Sequence, residues 1–560
     1  MGATELRPDL QGFLTLAQAG NVVPVLWEGS SDLETPISLF AKLRPLGAAY
    51  LLESAEQDGR FGRYSFIGLR PFAQLEADAR EVRVRSGGTL EVCGGSPLDV
   101  LRDLLHRYVP AAPAGLPPFW GGAVGFFGYE LIHHLEEVPR LPDDGSDWPE
   151  AAFVLAEQVV VIDHFRHRLL IVHNARVGEA PLGDAGEPAY RRALEAIAEV
   201  HAALARPMPA MPPLPLPAAG PTTGAANMTA AEHAAMVATA REHIRIGDIF
   251  QVVLSQRLAR PFSGDPLQVY RVLRSSNPSP YMFLLDFGGY QLVGASPEML
   301  VRVQDGVVET RPIAGTRPRG ATAEEDAALE AELRADPKEV AEHVMLVDLG
   351  RNDIGRVAVP GSMCVPEQLQ VERFSHVMHL VSGVRGRLRA DLDAFSALAA
   401  CFPAGTLTGA PKVRAMEIIA ALEPQRRGPY GGCVAYFGFG GNADTAICIR
   451  TLAIKDGVAS VQAGGGIVYD SQADLEYQES LNKASAVLRA LEAVDAAGSA
   501  GAGSGGAAAA AAEDVEAVAA AGSAGAGRGG ALAAAAAPGQ AARAGGHDGR
   551  RASLKGGAGR

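Results

Sequence analysis

Residues 228–258 read MTAAEHAAMVATAREHIRIGDIFQVVLSQRL. Thr229 stands just before an apolar-periodic run, and Glu232 follows three residues later, the reciprocal pattern of a capping box. The spacing predicts a helix over 229–246. The run IFQVVLSQRL after it is short and β-branched, and predicts a strand. Upstream, residues 206–228 (RPMPAMPPLPLPAAGPTTGAANM) hold too much proline for a helix or a central strand and read as an extended linker. Further back, β-rich runs at 47–53, 81–85, 158–162 and 168–173 alternate with helical stretches at 97–108 and 189–205. Downstream, from Ala496, the chain is dominated by Ala and Gly, with no apolar stripe to dock a helix; 496–560 is expected to be a disordered tail.

The chain has 560 residues, 64 acidic against 50 basic, for a net charge of −14, which argues against a nucleic-acid-binding surface. A hydrophobic fraction of 48% is enough to fill a large core, so wholesale disorder is excluded. The five cysteines (93, 364, 401, 433, 448) form no CxxC pair, which fits reduced thiols in a cytoplasmic setting. The N-terminal segment MGATELRPDLQGF has early acids and no apolar export core. Leu6 occupies the position where a myristoylation signal wants Ser or Thr. No run of eighteen apolar residues is found, so no membrane span is expected.

Three constellations could carry chemistry. Glu339 and Glu342, in DPKEVAEHVMLVDL, sit at i and i+3, as do Glu476 and Glu479 in LEYQESLNKASAVLRAL. Each pair shares one helix face. Two such faces brought together make a four-carboxylate cluster that needs a cation, and hard oxygen donors select Mg²⁺ or Ca²⁺. Either pair alone also fits a solvated helix face. Glycine-rich segments form the second set: Gly464–Gly466 in VQAGGGIVYD, Gly315 and Thr316 in PIAGTRPRG, and Thr406, Thr408 and Gly409 in FPAGTLTGAPK. Side-chain-free backbone can turn its N–H groups toward an anion, although such turns are also common as structure alone. Third come single polar residues among apolar strands: Gln251, Glu298, His379, Tyr430 and Arg450. Arg450, read as mid-strand in TAICIRTL, needs an anionic partner, either an internal carboxylate or a substrate's. No Ser-His-Asp or Cys-His set and no glutaminase-type nucleophile motif is legible.

The strings GDIFQVVLSQR, SSNPSPYMFLL, GASPEML, RPIAGTRPRG, AEHVMLVDLGRNDIGRV, SHVMHLVS, FPAGTLTGAPKVRAMEII, YGGCVAYFGFGG and VQAGGGIVYDS resemble, in order, the chorismate-utilising enzyme family in its anthranilate synthase component I branch. The proline-rich segment, Gly350 where Ala is commoner, and the Ala/Gly tail depart from the usual pattern. The resemblance implies an α+β fold of large antiparallel β-sheets packed face to face with helices outside. It implies an N-terminal regulatory region over 10–205, the linker over 206–228, a chorismate-binding catalytic region over 229–495, and the tail over 496–560.

The family's reaction adds ammonia to the chorismate ring as a hydroxyl departs, then eliminates pyruvate to leave anthranilate, the first step of tryptophan biosynthesis by a lyase of the oxo-acid-lyase type. The resemblance makes Glu342 and Glu479 ligands of Mg²⁺, with Glu339 and Glu476 supporting. It places Tyr430, Arg450 and Gly464, Gly465 and Gly466 on chorismate carboxylates, and Gly315 and Thr316 on the ring. Glu298 matches the general acid and His379 a histidine near the elimination step. Isochorismate and salicylate synthases carry a water-activating lysine where this chain has Gln251. Aminodeoxychorismate synthase component I has PIKGT with a nucleophilic lysine, where this chain has Ala314. Both differences favour anthranilate. A non-catalytic regulatory paralogue is the reading from another class; it would have lost a carboxylate or Arg450, and neither is lost. The missing glutaminase motif implies a glutamine amidotransferase partner, anthranilate synthase component II, in a heterotetramer of two large and two small subunits. Glu53 and Ser54 in LLES, GRYSFIG (62–68), and Pro280, Tyr281 and Met282 in NPSPYM resemble a tryptophan feedback site.

Overall fold

The computed structural model describes residues 6–54, 62–143, 145–178, 182–217, 220, 222–373 and 377–501. The capping box forms as read: the Thr229 side chain accepts from the Glu232 backbone, and Glu232 accepts in return, at the head of helix α1 (Ala230–Arg245). The strand that follows is β7 (Gln251–Pro261). Before it come β1 (Val22–Ser30), β2 (Ala48–Glu53), β3 (Tyr64–Ala77), β4 (Gly122–Phe127), β5 (Ala151–Asp163) and β6 (Arg168–Arg176). After it come β8 (Tyr281–Asp286), β9 (Tyr290–Ser296), β10 (Met299–Gln304), β11 (Ile313–Pro318), β12 (Val377–Arg387), β13 (Cys433–Gly438), β14 (Ala443–Ile447), β15 (Thr451–Lys455) and β16 (Val458–Ile467).

These strands join in antiparallel ladders. Two ladders stitch the N-terminal part to the rest: β2 pairs with β8, placing Glu53 opposite Met282, and β4 pairs with β13 from Gly122–Gly438 to Phe127–Cys433. The proline-rich segment therefore joins two parts that already share strands. Its described residues are irregular until Ala225–Ala226 adds a short pairing to β7.

Strand alternation supplies two apolar layers. In β5, Val159 and Val161 face an inner core with Phe66, Phe126, Phe153, Leu254 and Phe437. Val160 and Ile162 face an outer layer shared with helices, including Leu267, Tyr270 and Leu273 of α2 (Pro266–Ser276). This is the sandwich with helices outside that the resemblance implied. Three further helices matter for function: α3 (Pro337–Gly355), α4 (Lys412–Leu422) and α5 (Ala473–Gly501). Helix α5 runs six residues into the stretch expected to be a tail. These six residues read AAGSAG; a nucleated helix propagates through a few weak formers far more cheaply than it starts, so the boundary drawn from composition fell early. The remainder of that stretch, 502–560, lies outside the described residues. Among the described residues no helix is long and apolar enough to cross a membrane.

Candidate active site

A cleft of about 1550 Å³ opens where β7, β11 and β16 meet α3 and α5. Gln251, Glu298, Ala314, Gly315, Thr316, His379, Tyr430, Arg450, Gly464 and Gly466 all line it, together with Glu339, Glu342, Glu476 and Glu479. Residues read separately along some 230 positions of chain thus converge on one cavity.

Glu298 follows β9 directly and sits between it and β10. Burial pushes its carboxyl up to about 7, against a hydrogen bond that Thr406 Oγ1 donates to Oε1 at 2.9 Å. A carboxylic acid half-protonated at neutral pH is suited to proton donation. His379, on β12, places Nδ1 3.0 Å from the Gly315 carbonyl and 3.0 Å from Thr316 Oγ1. Burial lowers its pKa, so the ring is neutral at pH 7. The carbonyl acceptor assigns the proton to Nδ1 and the lone pair to Nε2.

Arg450 departs from its expected place. It lies in the turn between β14 and β15 at φ +52°, not within a strand. The left-handed kink lifts the guanidinium toward the cleft. Burial lowers its pKa, with Tyr430 and Glu479 as the opposing influences, and its guanidinium has no hydrogen-bond or ion-pair partner among the described residues. A half-buried arginine with no carboxylate in contact is suited to receive an anion from outside. Tyr430 is fixed from below by buried Arg427, 5.5 Å from the ring centre, which pairs with Glu423 at 2.6 Å. Glu423 also accepts from Ser255 at 2.8 Å.

The glycines also depart from expectation. Gly464–Gly466 form no turned nest; they belong to β16 and pair with Val253–Ser255 of β7. What they supply is room. A Cβ on Gly466 would lie 2.2 Å from Gln251 Nε2, and one on Gly465 2.9 Å from a Glu476 carboxylate oxygen. Gly315 likewise sits in a strand, at a bulge of β11 against β12 with φ +71°, a conformation that glycine adopts without strain.

Glu339 lies in the first turn of α3, below its N-cap Asp336, and Glu476 in the first turn of α5. Burial raises the Glu342 pKa, and the nearby Glu339 and Glu479 charges add to it. Burial raises Glu476 too, with Glu479 contributing. The two pairs therefore do face one another. Cations of the chain occupy part of the set: Lys483 holds Glu479 at 2.7 Å and Arg317 reaches Glu339 at 3.3 Å. Among the described residues no three carboxylates or imidazoles are gathered closely enough to hold a metal ion. As a donor set, oxygen-only and partly neutralised by flexible Lys and Arg, they suit a hard cation that displaces those side chains.

Sequence reasoning missed the cleft cations Lys338, Lys483 and Arg489. Glu479 and Lys483, at i and i+4, were the available signal. Away from the cleft, Glu53 is held by Arg274 and by the Tyr270 hydroxyl at 2.8 Å. Tyr281 donates to Asp444 at 3.1 Å, and Met282 is buried. The Ser54 hydroxyl is buried with no hydrogen-bond partner among the described residues.

Comparison with known proteins decides the family. The model of the chorismate binding enzyme family matches residues 47–489. The chain belongs to the chorismate binding enzyme family. It is 46% identical over 491 residues to anthranilate synthase component 1 of Acetivibrio thermocellus, covering 87% of this chain and 98% of that one. It is 48% identical over 492 residues to the protein of the same name from Streptomyces coelicolor, covering 87% and 92%. Its fold matches the crystal structure of anthranilate synthase component I from Streptococcus pneumoniae with a TM-score of 0.66 at 39% identity, over 77% of this chain and 94% of that one. The family match crosses the proline-rich segment and includes every cleft residue named above.

Proposed function

We propose that the chain is the large subunit of an anthranilate synthase, converting chorismate and ammonia to anthranilate and pyruvate. The observation that carries this reading is Glu298: a buried acid protonatable near neutrality, in a cleft that also presents the unpartnered Arg450. Arg450 and the Tyr430 hydroxyl would bind chorismate carboxylates, over a floor kept open by Gly464 and Gly466. Glu298 would then protonate the ring hydroxyl, since hydroxide leaves too poorly unaided. His379, which lines the same cleft, would act near the elimination step. Gln251 and Ala314 line the same cleft and neither can act as base or nucleophile, so the attacking group must arrive reactive, as ammonia does.

Glu342 and Glu479, with Glu339 and Glu476, would hold Mg²⁺. The bound ion would supply charge neutralisation for the ring carboxylate. Ammonia would come from glutamine through a separate amidotransferase subunit, in an assembly of two large and two small chains in the cytoplasm; the designation component 1 carried by the relatives supports a second component. Tryptophan would inhibit at a site near Ser54 and Tyr281.

The test is incubation of the purified chain with chorismate, Mg²⁺ and an ammonium salt. Anthranilate fluorescence with equimolar pyruvate is the expected result. Isochorismate, salicylate or aminodeoxychorismate as main product would overturn the reading. Glutamine should replace ammonium only once the amidotransferase is added.

A further inference from the structure

A second cavity of about 40 Å³ adjoins the cleft and shares Glu298, Leu346 and Thr406 with it. Its walls include Glu298, Thr406, Thr310, Arg311, Asp353 and Cys401. That volume holds roughly two or three waters. Asp353 comes from the string GRNDIG and Lys412 from GAPK, segments whose polar residues have no role in the cleft. Lys412 Nζ donates to Asp353 Oδ2 at 3.1 Å and to the Cys401 carbonyl at 3.3 Å. Asp353 is only 7% exposed, and its other oxygen, Oδ1, is buried with no hydrogen-bond partner among the described residues. A buried carboxylate oxygen facing a water-sized cavity is satisfied by a water there.

We propose that Asp353 and Lys412, acting through water in this cavity, return a proton to Glu298 after each turnover. The proposal rests on the anthranilate synthase reading. Glu298 gives its proton to the departing ring hydroxyl, which leaves as water, and becomes a carboxylate. Its face toward the cleft is then covered by the reacting ring, and its face toward the second cavity is not. A cavity water passes a proton to Glu298 and is resupplied through the Asp353 carboxylate, which draws its proton from the Lys412 ammonium paired with it. The Lys412 side chain, 16% exposed, regains the proton from bulk water. No bond between heavy atoms changes and no electron moves. Burial raises the carboxyls of both Glu298 and Asp353, so both hold protons more readily than ordinary carboxylates. The charged groups acting on Asp353 are Lys412 and Arg356, with Cys401 alongside; those acting on Glu298 are Lys483 and the Thr406 hydroxyl. Asp353 and Lys412 are positioning residues, which act on the substrate only through Glu298.

The experiment compares first and later turnovers by stopped-flow anthranilate fluorescence on the full chain with chorismate, Mg²⁺ and ammonium. With the enzyme held below pH 7, where Glu298 starts mostly protonated, the first turnover of Asp353→Asn should proceed within about twofold of wild type. The steady-state rate should fall at least about tenfold, leaving a burst of one anthranilate per site. Asp353→Glu, which keeps an acid, should recover most of the steady-state rate. Lys412→Met should show the same burst, and carries the test alone if Asp353→Asn does not fold. Unchanged steady-state rates, or a first turnover slowed as much as the later ones, would overturn the relay. Absence of anthranilate from the wild-type chain would count against the proposed function itself.

Discussion

At the scale of single residues, the cleft stores its chemistry in groups held away from their ordinary state. Glu298 is the clearest. If it is the proposed proton donor, its protonated form is the active one, so activity per free ammonia should fall as pH rises through about 7. The Thr406 hydroxyl favours the ionised form and holds that value down. Thr406→Val should therefore shift the alkaline limb upward, by roughly one pH unit, in a pH–rate profile taken at saturating chorismate. A limb that stays in place or moves down would assign it to another group. Arg450 makes the complementary case. Its burial is unfavourable until an anion arrives, so Arg450→Met should raise the melting temperature while raising the chorismate Kd about 10- to 100-fold. Calorimetry on the same sample reads both; a variant that loses stability as well would mean the guanidinium has an internal partner.

At the scale of elements, two helix N-termini and three strand ends build the site, and they differ in how far the sequence reveals them. Helices α3 and α5 present their carboxylates as the i, i+3 spacing implied, because helical periodicity is local. The energetics can be read without turnover. Bound Mg²⁺ should raise the melting temperature in proportion to its occupancy, and Glu342→Gln should abolish most of that rise. The same variant should raise the melting temperature of the metal-free chain, since it removes a half-buried charge repelled by Glu339 and Glu479. A Mg²⁺-induced shift of wild-type size in Glu342→Gln would refute the site. The strand ends were less legible. TAICIRTL carries no Gly, Pro or Asn to announce a turn, so the left-handed kink at Arg450 is invisible in the pattern and is imposed by the pairing of β14 and β15 with their neighbours. Glycine triplets are compatible with a nest or with a crowded strand; the strand at Gly464–Gly466 is selected by Gln251 and Glu476, distant in sequence. The hydrogen bond from Thr406 to Glu298 spans 108 positions and had no local signal. The Glu423–Arg427 pair under Tyr430, at i and i+4, was readable and was overlooked.

At the scale of the whole molecule, the N-terminal strands are continuous with those that line the cleft, which would give the proposed inhibition by tryptophan a physical route. Glu53 ends β2 opposite Met282 of β8, and Tyr281 of β8 is opposite Ser296 of β9. Ser296 lies two residues before Glu298, and its hydroxyl donates to the Ile447 carbonyl at 2.7 Å. A ligand bearing on Ser54 and Tyr281 would thus act on a ladder whose next strand ends two residues before Glu298, the proposed catalytic acid. Glu53 is already committed to Arg274 and Tyr270, so a bound tryptophan would be recognised first by the unpartnered Ser54 hydroxyl and by the Tyr281 ring. Inhibition would then be a coupling free energy between two sites, typically 1–3 kcal/mol, or roughly 5- to 150-fold in chorismate affinity. By reciprocity, saturating chorismate should weaken tryptophan binding by the same factor. Ser54→Phe fills the space beside the hydroxyl and should relieve inhibition, with activity in the absence of tryptophan nearly unchanged. Titration of tryptophan with and without chorismate, on wild type and Ser54→Phe, checks each statement. A wild-type chain indifferent to millimolar tryptophan, or a Ser54→Phe chain inhibited as strongly as wild type, would remove the site from this end of the ladder.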